Sequence, residues 1–451
     1  MLNVRERWTN RALFRLLWPL VIEQLLSVTM GITDTLMVSP VGEYALSSVN
    51  LIDNINNLFI IAFTALCTGG AVVVSQYIGR KDHENAGIAS KQLIYSAVLV
   101  SLVIAVIAIL FRRPVLRILY SGIEDDVMNT AMAYFRISAL SYPMLAVYHA
   151  CAALFRSVGN SKTPMLVALL INVLHIFGNA LFIHWLRMGS AGIGLSIFLC
   201  RTVAAVILFV LLVKNHRFPL CLTGILKPVF IPSMIRRILN IGVPTGLEAS
   251  MFQFGRLLTQ RIFPFFGTSI IAANAVTTVI NSLSFMTGNA FSIALLTVVG
   301  QCIGAGDYEA AKSYTAKIIK NTLITIFIIC LLNFIFRDSL IGLFNLTPEA
   351  QAAARLFIAV HCVTMALGWT FSFGLPNALR AAGDAKYVMI VAAISMWTIR
   401  VSAAYLLTFT LGIGPIGVWF AMGGDFLFRG ISYVLRWKSG RWQQMKVLDL
   451  R

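Results

Sequence analysis

Apolar stretches of about twenty residues recur from one end of the chain to the other, separated only by short polar segments. They cover approximately 13–37, 50–78, 88–111, 130–155, 163–186, 190–214, 238–266, 275–302, 316–336, 351–379, 387–411 and 415–437. About twenty such residues wound as a helix cross the ~30 Å hydrocarbon core of a bilayer. The pattern therefore predicts an all-α polytopic membrane protein with twelve transmembrane helices and no soluble domain between them. The first run follows Arg5, Arg7, Arg11 and Arg15, as the apolar part of a signal peptide would. It is too long for one, carries Glu23 and Asp34, and lacks a small-x-small cleavage site, so it is expected to be a retained first helix.

The pattern also repeats itself. The run from Ser75 through Gln76, Gly79 and Asp82 to Ala86 matches the run from Gly300 through Gln301, Gly304 and Asp307 to Ala311, an offset of 301 − 76 = 225 residues. Arg156, Gly159, Asn160 and Lys162 match Arg380, Gly383, Asp384 and Lys386, an offset of 380 − 156 = 224. Pro19 and Glu23 pair in the same way with Pro244 and Glu248, and Ile193-Gly194 with Ile416-Gly417. Such self-similarity at one period marks a duplicated unit. Six helices per half leave matching loops on the same side, so the repeats are parallel, with substrate expected between them. The expected division is a six-helix lobe over 1–214, a linker over 215–237 broken by Pro219, Pro228 and Pro232, and a second six-helix lobe over 238–451.

Composition agrees with a bilayer as solvent: of 451 residues 58% are hydrophobic and 12% charged, against about a quarter charged in soluble domains. The net charge of +18 raises the question of nucleic acid, but the basic residues fall at helix ends. Alternate loops hold Arg80 and Lys81; Arg156 and Lys162; Lys214, Arg217, Lys227, Arg236 and Arg237; Arg380 and Lys386; and Arg436, Lys438, Arg441 and Lys446. The opposite loops carry fewer, chiefly Arg112, Arg113, Arg117, Arg187 and Arg337. By the positive-inside rule both termini are expected in the cytoplasm, and no nucleic-acid partner is expected. The seven cysteines (Cys67, Cys151, Cys200, Cys221, Cys302, Cys330 and Cys362) show neither CxxC nor Cys/His spacing, so neither disulfides nor a metal site is expected.

These residues resemble the MATE (multidrug and toxic compound extrusion) family, bacterial type. Asp34-Thr35-Leu36-Met37-Val38, followed by Gly42, Ala45-Leu46 and Val49, looks like the family's first-helix pattern, and the Gln-x-x-Gly and Arg-x-x-Gly-[Asn/Asp]-x-Lys loops of both halves complete it. The resemblance covers essentially the whole chain. It implies a two-lobed secondary antiporter of the bacterial plasma (inner) membrane, exporting small organic, often cationic, compounds by alternating access against an inward flow of protons or sodium. A single chain in the lipid, without cofactor, is the expected working form.

Acids inside hydrocarbon are costly and few, so each carries a functional hypothesis: Glu23, Asp34 and Glu248, with Asp53 near the start of the second run and Asp425 in the last. An apolar surrounding disfavours a carboxylate's charged form, so a change in hydration between inward- and outward-open states would load or release a proton. The resemblance makes Asp34 the cation-coupling residue of the first lobe; the structural alternative is a helix-end carboxylate meeting headgroup water. Asn172, His175 and Asn179 stand at i, i+3 and i+7, on one helical face. Similar proteins carry Asn-x-x-Asn-x-x-x-Asp there, completed by a hydroxyl on the sixth helix that matches Ser196. Here His175 replaces the second Asn and Asn179 the Asp. A sodium site wants several hard oxygens, whereas imidazole titrates near neutral pH, so the substitutions favour protons over sodium, unless His175 is only a satisfied core histidine.

Some family members also place a cation-binding Glu on helix seven with an Asp on helix ten. Glu248 lies only one turn after Pro244, and residues 352–379 contain no acid, so that second site is not expected in the same form. Glu248 is a candidate for the substrate cavity or, with Glu23, for a shared structural role. Arg256 and Arg400 either pair with Glu248 or line the cavity. Aromatic and sulfur side chains gather in the second half, among them Phe252, Trp369, Trp397 and Met396; such faces attract organic cations, although most pack as core. Two rivals differ in class. A flippase for lipid-linked saccharides shares paired lobes but tends to more helices and basic cavity residues; a membrane-embedded enzyme would need an HExxH or GxSxG type of motif, and the sequence has none.

Overall fold

The structure is a computed structural model that describes the chain apart from residues 1–3, 42, 120–123, 215–219, 221, 226, 446 and 449–451, with the backbone alone at 4, 5, 32, 35, 36, 39, 43, 45, 46, 118, 119, 126 and 184. Gly42, Arg217, Pro219, Cys221 and Lys446 thus lie outside the described residues.

Nearly all of the described chain is helical. After a short turn at Val4–Arg7 come α1 (Asn10–Val38), α2 (Glu43–Gly79), α3 (His83–Leu110), α4 (Asp125–Leu140, continued as Tyr142–Ser157), α5 (Lys162–Asn179, ending in a π turn at Ala180–Trp185) and α6 (Gly189–Lys214). The second half holds α7 (Pro232–Gln260), α8 (Thr268–Gly304), α9 (Tyr308–Ile335), α10 (Pro348–Ala381), α11 (Ala385–Thr410) and α12 (Ile416–Lys438). Twelve helices in two six-helix lobes is the fold. Among the described residues nine helices are long and apolar enough to cross a membrane, and α4, bent by 44°, makes a tenth. The bend follows from Pro143, which has no N–H to continue the ladder past Ser141. α7 and α12 are less apolar because they carry Glu248 and Arg256, and Asp425 and Arg429.

The duplication is written into the backbone. α3 is capped by Asp82, whose carboxylate accepts the Asn85 N–H at 3.1 Å, and α9 by Asp307, which accepts the Ala310 N–H at 2.9 Å. Their dihedrals nearly coincide, φ −92°, ψ 81° against φ −91°, ψ 80°. In the preceding turn Gly306 takes the left-handed conformation, and Lys81 takes it in the first half. Short helices at Arg112–Leu119 and Arg337–Gly342 follow α3 and α9 at the same offset.

The chain folds as two compact units, one over Phe14–Gly242 and the other from Val243 onward together with the first residues up to Leu13. Trp8 is buried in the latter unit and donates its indole N–H to Gln301 at 3.2 Å. The described part of the linker lies in the former, where Gln92 donates to the Val229 carbonyl at 2.6 Å and accepts from the Ile231 N–H at 3.0 Å. Rows of exposed apolar side chains, such as Leu99, Val103, Val106 and Leu110 on α3 and Phe327, Leu331 and Ile335 on α9, are the surfaces expected to meet lipid rather than water.

Candidate functional site

Asp34 lies one turn before the end of α1 and is 9% exposed. α5 brings two side chains to it. His175 Nε2 is 2.5 Å from Asp34 Oδ1, and Asn179 donates through Nδ2 to the same oxygen at 2.8 Å. The two α5 residues are also in contact, Asn179 Nδ2 lying 3.2 Å from His175 Nε2. α6 supplies Ser196, whose hydroxyl is 3.2 Å from His175 Nδ1 and 3.3 Å from the His175 carbonyl. α6 can come this close because residue 178 is glycine: a Cβ there would stand 2.5 Å from Ser196 Oγ. Asn172 shares the face but takes no part in these bonds, its amide donating to the Ala168 carbonyl of its own helix at 2.9 Å.

The arrangement can hold a proton in more than one place. With hydrogen on Nε2, His175 donates to Asp34, and the Ser196 hydroxyl can donate to Nδ1. With hydrogen on Nδ1, His175 donates to Ser196, which turns its own hydrogen to the His175 carbonyl, and Nε2 can accept from Asn179 or from a protonated Asp34. Each state finds partners, as a site that loads and releases a proton requires. The carbonyl oxygen of Asn179 is buried and has no partner among the described residues.

A second polar network in the same unit centres on Asp53. Tyr134 donates to Asp53 Oδ1 at 2.9 Å and Asn56 to the same oxygen at 3.2 Å, while Ser138 and Tyr142 donate to Asn56 Oδ1 at 2.9 and 2.8 Å. Arg201 donates to Ser141 Oγ at 2.6 Å and is close enough to Asp53 and Asp34 to act on their charge. Asp53 and Asn56 stand at i and i+3, a signal available in the sequence; Arg201 carries none.

The candidates of the second half divide. Glu248 pairs with Arg380 at 2.5 Å, as Glu23 pairs with Arg156. Neither Arg256 nor Arg400 is its partner; in both halves the acid is paired with the arginine of the Arg-x-x-Gly motif. Trp369 is fully buried, stacked on Phe373 and edge-on to Phe285, so it is core and not a cavity wall. The Phe252 ring already has Arg400 and Arg429 against it, 4.9 and 5.6 Å from its centre, and is not a free platform for a substrate cation. Arg400 binds Asp425 at 3.4 Å. Arg256 and Trp397 are exposed. Sequence reasoning missed Arg429, which pairs with Asp425 at 2.7 Å across one helical turn, although the i, i+4 spacing was there to find it.

Two stretches of the chain, residues 19–181 and 244–406, match the sequence profile of a family described as MatE. The chain belongs to the MatE family. The two matches begin 244 − 19 = 225 residues apart, the offset read from the loop motifs. Its members are multi-pass membrane transporters. A relative in Bacillus subtilis (strain 168) described as "Uncharacterized transporter YisQ" is 30% identical over 96% of this chain and 95% of its own. A "Probable multidrug resistance protein NorM" of Thermotoga maritima is 26% identical over 97% and 94%. The fold is that of solved MATE structures, for example a "Crystal structure of MATE in the straight conformation", with TM-score 0.90 at 17% identity over 98% of this chain and 99% of that one.

Within this MatE chain the repeat offset shows where the halves part company. The positions matching Asp34, Asn172, His175, Asn179 and Ser196 are Thr259, Met396, Ile399, Ala403 and Trp419. Those matching Arg400, Asp425 and Arg429 are Ile176, Thr202 and Val206. The scaffold and its Glu–Arg pairs are duplicated; the clusters around Asp34 and Asp425 are not.

Proposed function

We propose that this protein is a secondary active antiporter that exports small organic compounds in exchange for protons, by alternating access, with Asp34 and His175 carrying the coupling proton. The 2.5 Å contact between Asp34 and His175 carries the reading, since two titratable groups on one proton path, each with alternative partners, form a site whose occupancy can follow the proton gradient. The contact also weighs against sodium. An imidazole nitrogen stands at the carboxylate oxygen where a hard cation would need oxygen ligands. The descriptions of NorM relatives as probable multidrug resistance proteins support drug-like compounds as cargo. The loop charge pattern supports an orientation with both termini cytoplasmic, and the bacterial sources of the relatives support a bacterial inner-membrane location.

The test is uptake of a fluorescent organic compound into proteoliposomes under an imposed pH gradient or an imposed sodium gradient. Transport driven by the pH gradient alone, and lost in Asp34→Asn, is the expected result. Transport driven by sodium alone reverses the ion assignment, and gradient-driven transport that survives Asp34→Asn removes Asp34 from the coupling.

A further inference from the structure

The second unit holds an ionic cluster for which the proton site has no use. Asp425 on α12 is fully buried. Its Oδ1 accepts from Arg429 Nε at 2.7 Å and from the Ser395 hydroxyl at 2.6 Å, which leaves Oδ2 for Arg400 Nη1 at 3.4 Å, near the outer limit of a hydrogen bond. Arg429 has a second acceptor, the Ala392 carbonyl, at 3.3 Å. Arg400 has no other acceptor among the described residues. Its guanidinium is instead held by its face, 4.9 Å from the centre of the Phe252 ring and 6.0 Å from that of Phe426. Its side chain is 8% exposed.

The charge count sets this cluster apart. Glu23, Glu248 and Asp384 each meet one arginine, Arg156, Arg380 and Arg436. Asp425 meets two, so one positive charge is left over in a setting of low dielectric, where an uncompensated charge is costly. Arg256, exposed on α7, is close enough to Arg400 to add to the positive field. The surplus is built in by an irregular helix. Ser395–Val401 is a π segment, in which residues five apart stand nearly above one another, so Ser395 and Arg400 reach the same carboxylate. An α-helix, with about 3.6 residues per turn, would turn them to diverging sides.

We propose that Arg400, steered by Phe252 and backed by Arg429, binds an acidic group, carboxylate or phosphate, on the exported compound. The site selects organic compounds that carry such a group over those that carry positive charge alone. A planar guanidinium with free edge donors is the side chain best shaped for a carboxylate or phosphate, and the loosely held Asp425 contact is the one that an incoming anion displaces. The proposal rests on the exporter reading only for the word exported; binding itself is independent of it.

Rhodamine 110, which has a free carboxylate, and rhodamine 123, its methyl ester, differ in that group alone and serve as probes. Their binding to the purified full-length protein in a non-ionic sugar detergent is followed by fluorescence anisotropy. The acid is expected to bind at least about tenfold more tightly than the ester, the scale of one charge-assisted hydrogen-bonded pair. That ratio is expected to fall to within about twofold in Arg400→Gln and to stay intermediate in Arg400→Lys. Equal binding of the two dyes to the wild type overturns the proposal whether or not any variant folds. So does an unchanged ratio in Arg400→Gln that melts like the wild type. A dye preference that persists where neither dye is driven by a gradient would keep the anion site and sink the exporter reading, whereas gradient-driven transport without the preference would do the reverse.

Discussion

Arg380, in the last turn of α10, reaches across to α7 and donates through Nη2 to Glu248 at 2.5 Å, one helical turn beyond Pro244. Arg156 does the same for Glu23 after Pro19. Both pairs are largely buried, with side-chain exposures of 11% and 10% in the first and 16% and 9% in the second. Removing one partner strands the other charge. Glu248→Gln is therefore expected to lower stability by about 3 kcal/mol, and Glu248→Gln with Arg380→Gln by clearly less. Thermal melting in detergent reads the difference. Lost transport with an unmoved melting midpoint would instead return Glu248 to the cavity.

Asp34→Asn keeps the side chain's shape and its ability to accept from Asn179 while removing the titratable group. Export under an imposed pH gradient is expected to fall at least about tenfold, as when an acid–base group is deleted. The melting midpoint should stay within a few degrees of the wild type, which initial-rate measurements beside a melting curve would establish.

His175 and Ser196 should separate in size. His175→Asn removes the imidazole proposed to carry the proton and is expected to match Asp34→Asn in its loss of proton-driven export. Ser196→Ala removes one neutral hydrogen bond, about 1 kcal/mol, so the rate should drop only about fivefold. Dose curves against the imposed pH difference compare the two; a Ser196→Ala loss as deep as that of His175→Asn would mean the hydroxyl carries more than orientation.

Gly178→Ala places a methyl group 2.5 Å from Ser196 Oγ. The expected cost is about 1–3 kcal/mol of strain, with transport falling toward that of Ser196→Ala as the hydroxyl is pushed from His175. Combining it with Ser196→Ala should restore part of the stability, and a double variant no more stable than Gly178→Ala would place the strain elsewhere.

Much of the Asp34 site was legible because helical spacing carries it. Asn172, His175 and Asn179 share a face at any helix position, although that Asn172 bonds to its own helix depends on a rotamer no spacing encodes. The closure of Ser196 on His175 was suggested by resemblance and made possible by Gly178, whose missing side chain matters only once α5 and α6 are side by side. In the second half, aromatic composition suggested a cation platform. The structure fills that ring face with the protein's own guanidinium groups, because Arg400 and Arg429 had to settle somewhere within the unit.

The sequence by itself determined the solvent, the helices and the duplication. Apolar run length is a local quantity, and a repeat at one offset survives in any conformation. Only the tertiary structure decided which charges meet. Glu248 joins Arg380 rather than Arg256 or Arg400, and Arg400 and Arg429 share Asp425, because pairing depends on separations through space and on a π segment that changes which residues of α11 face α12. Spacing along a regular helix could not anticipate that register.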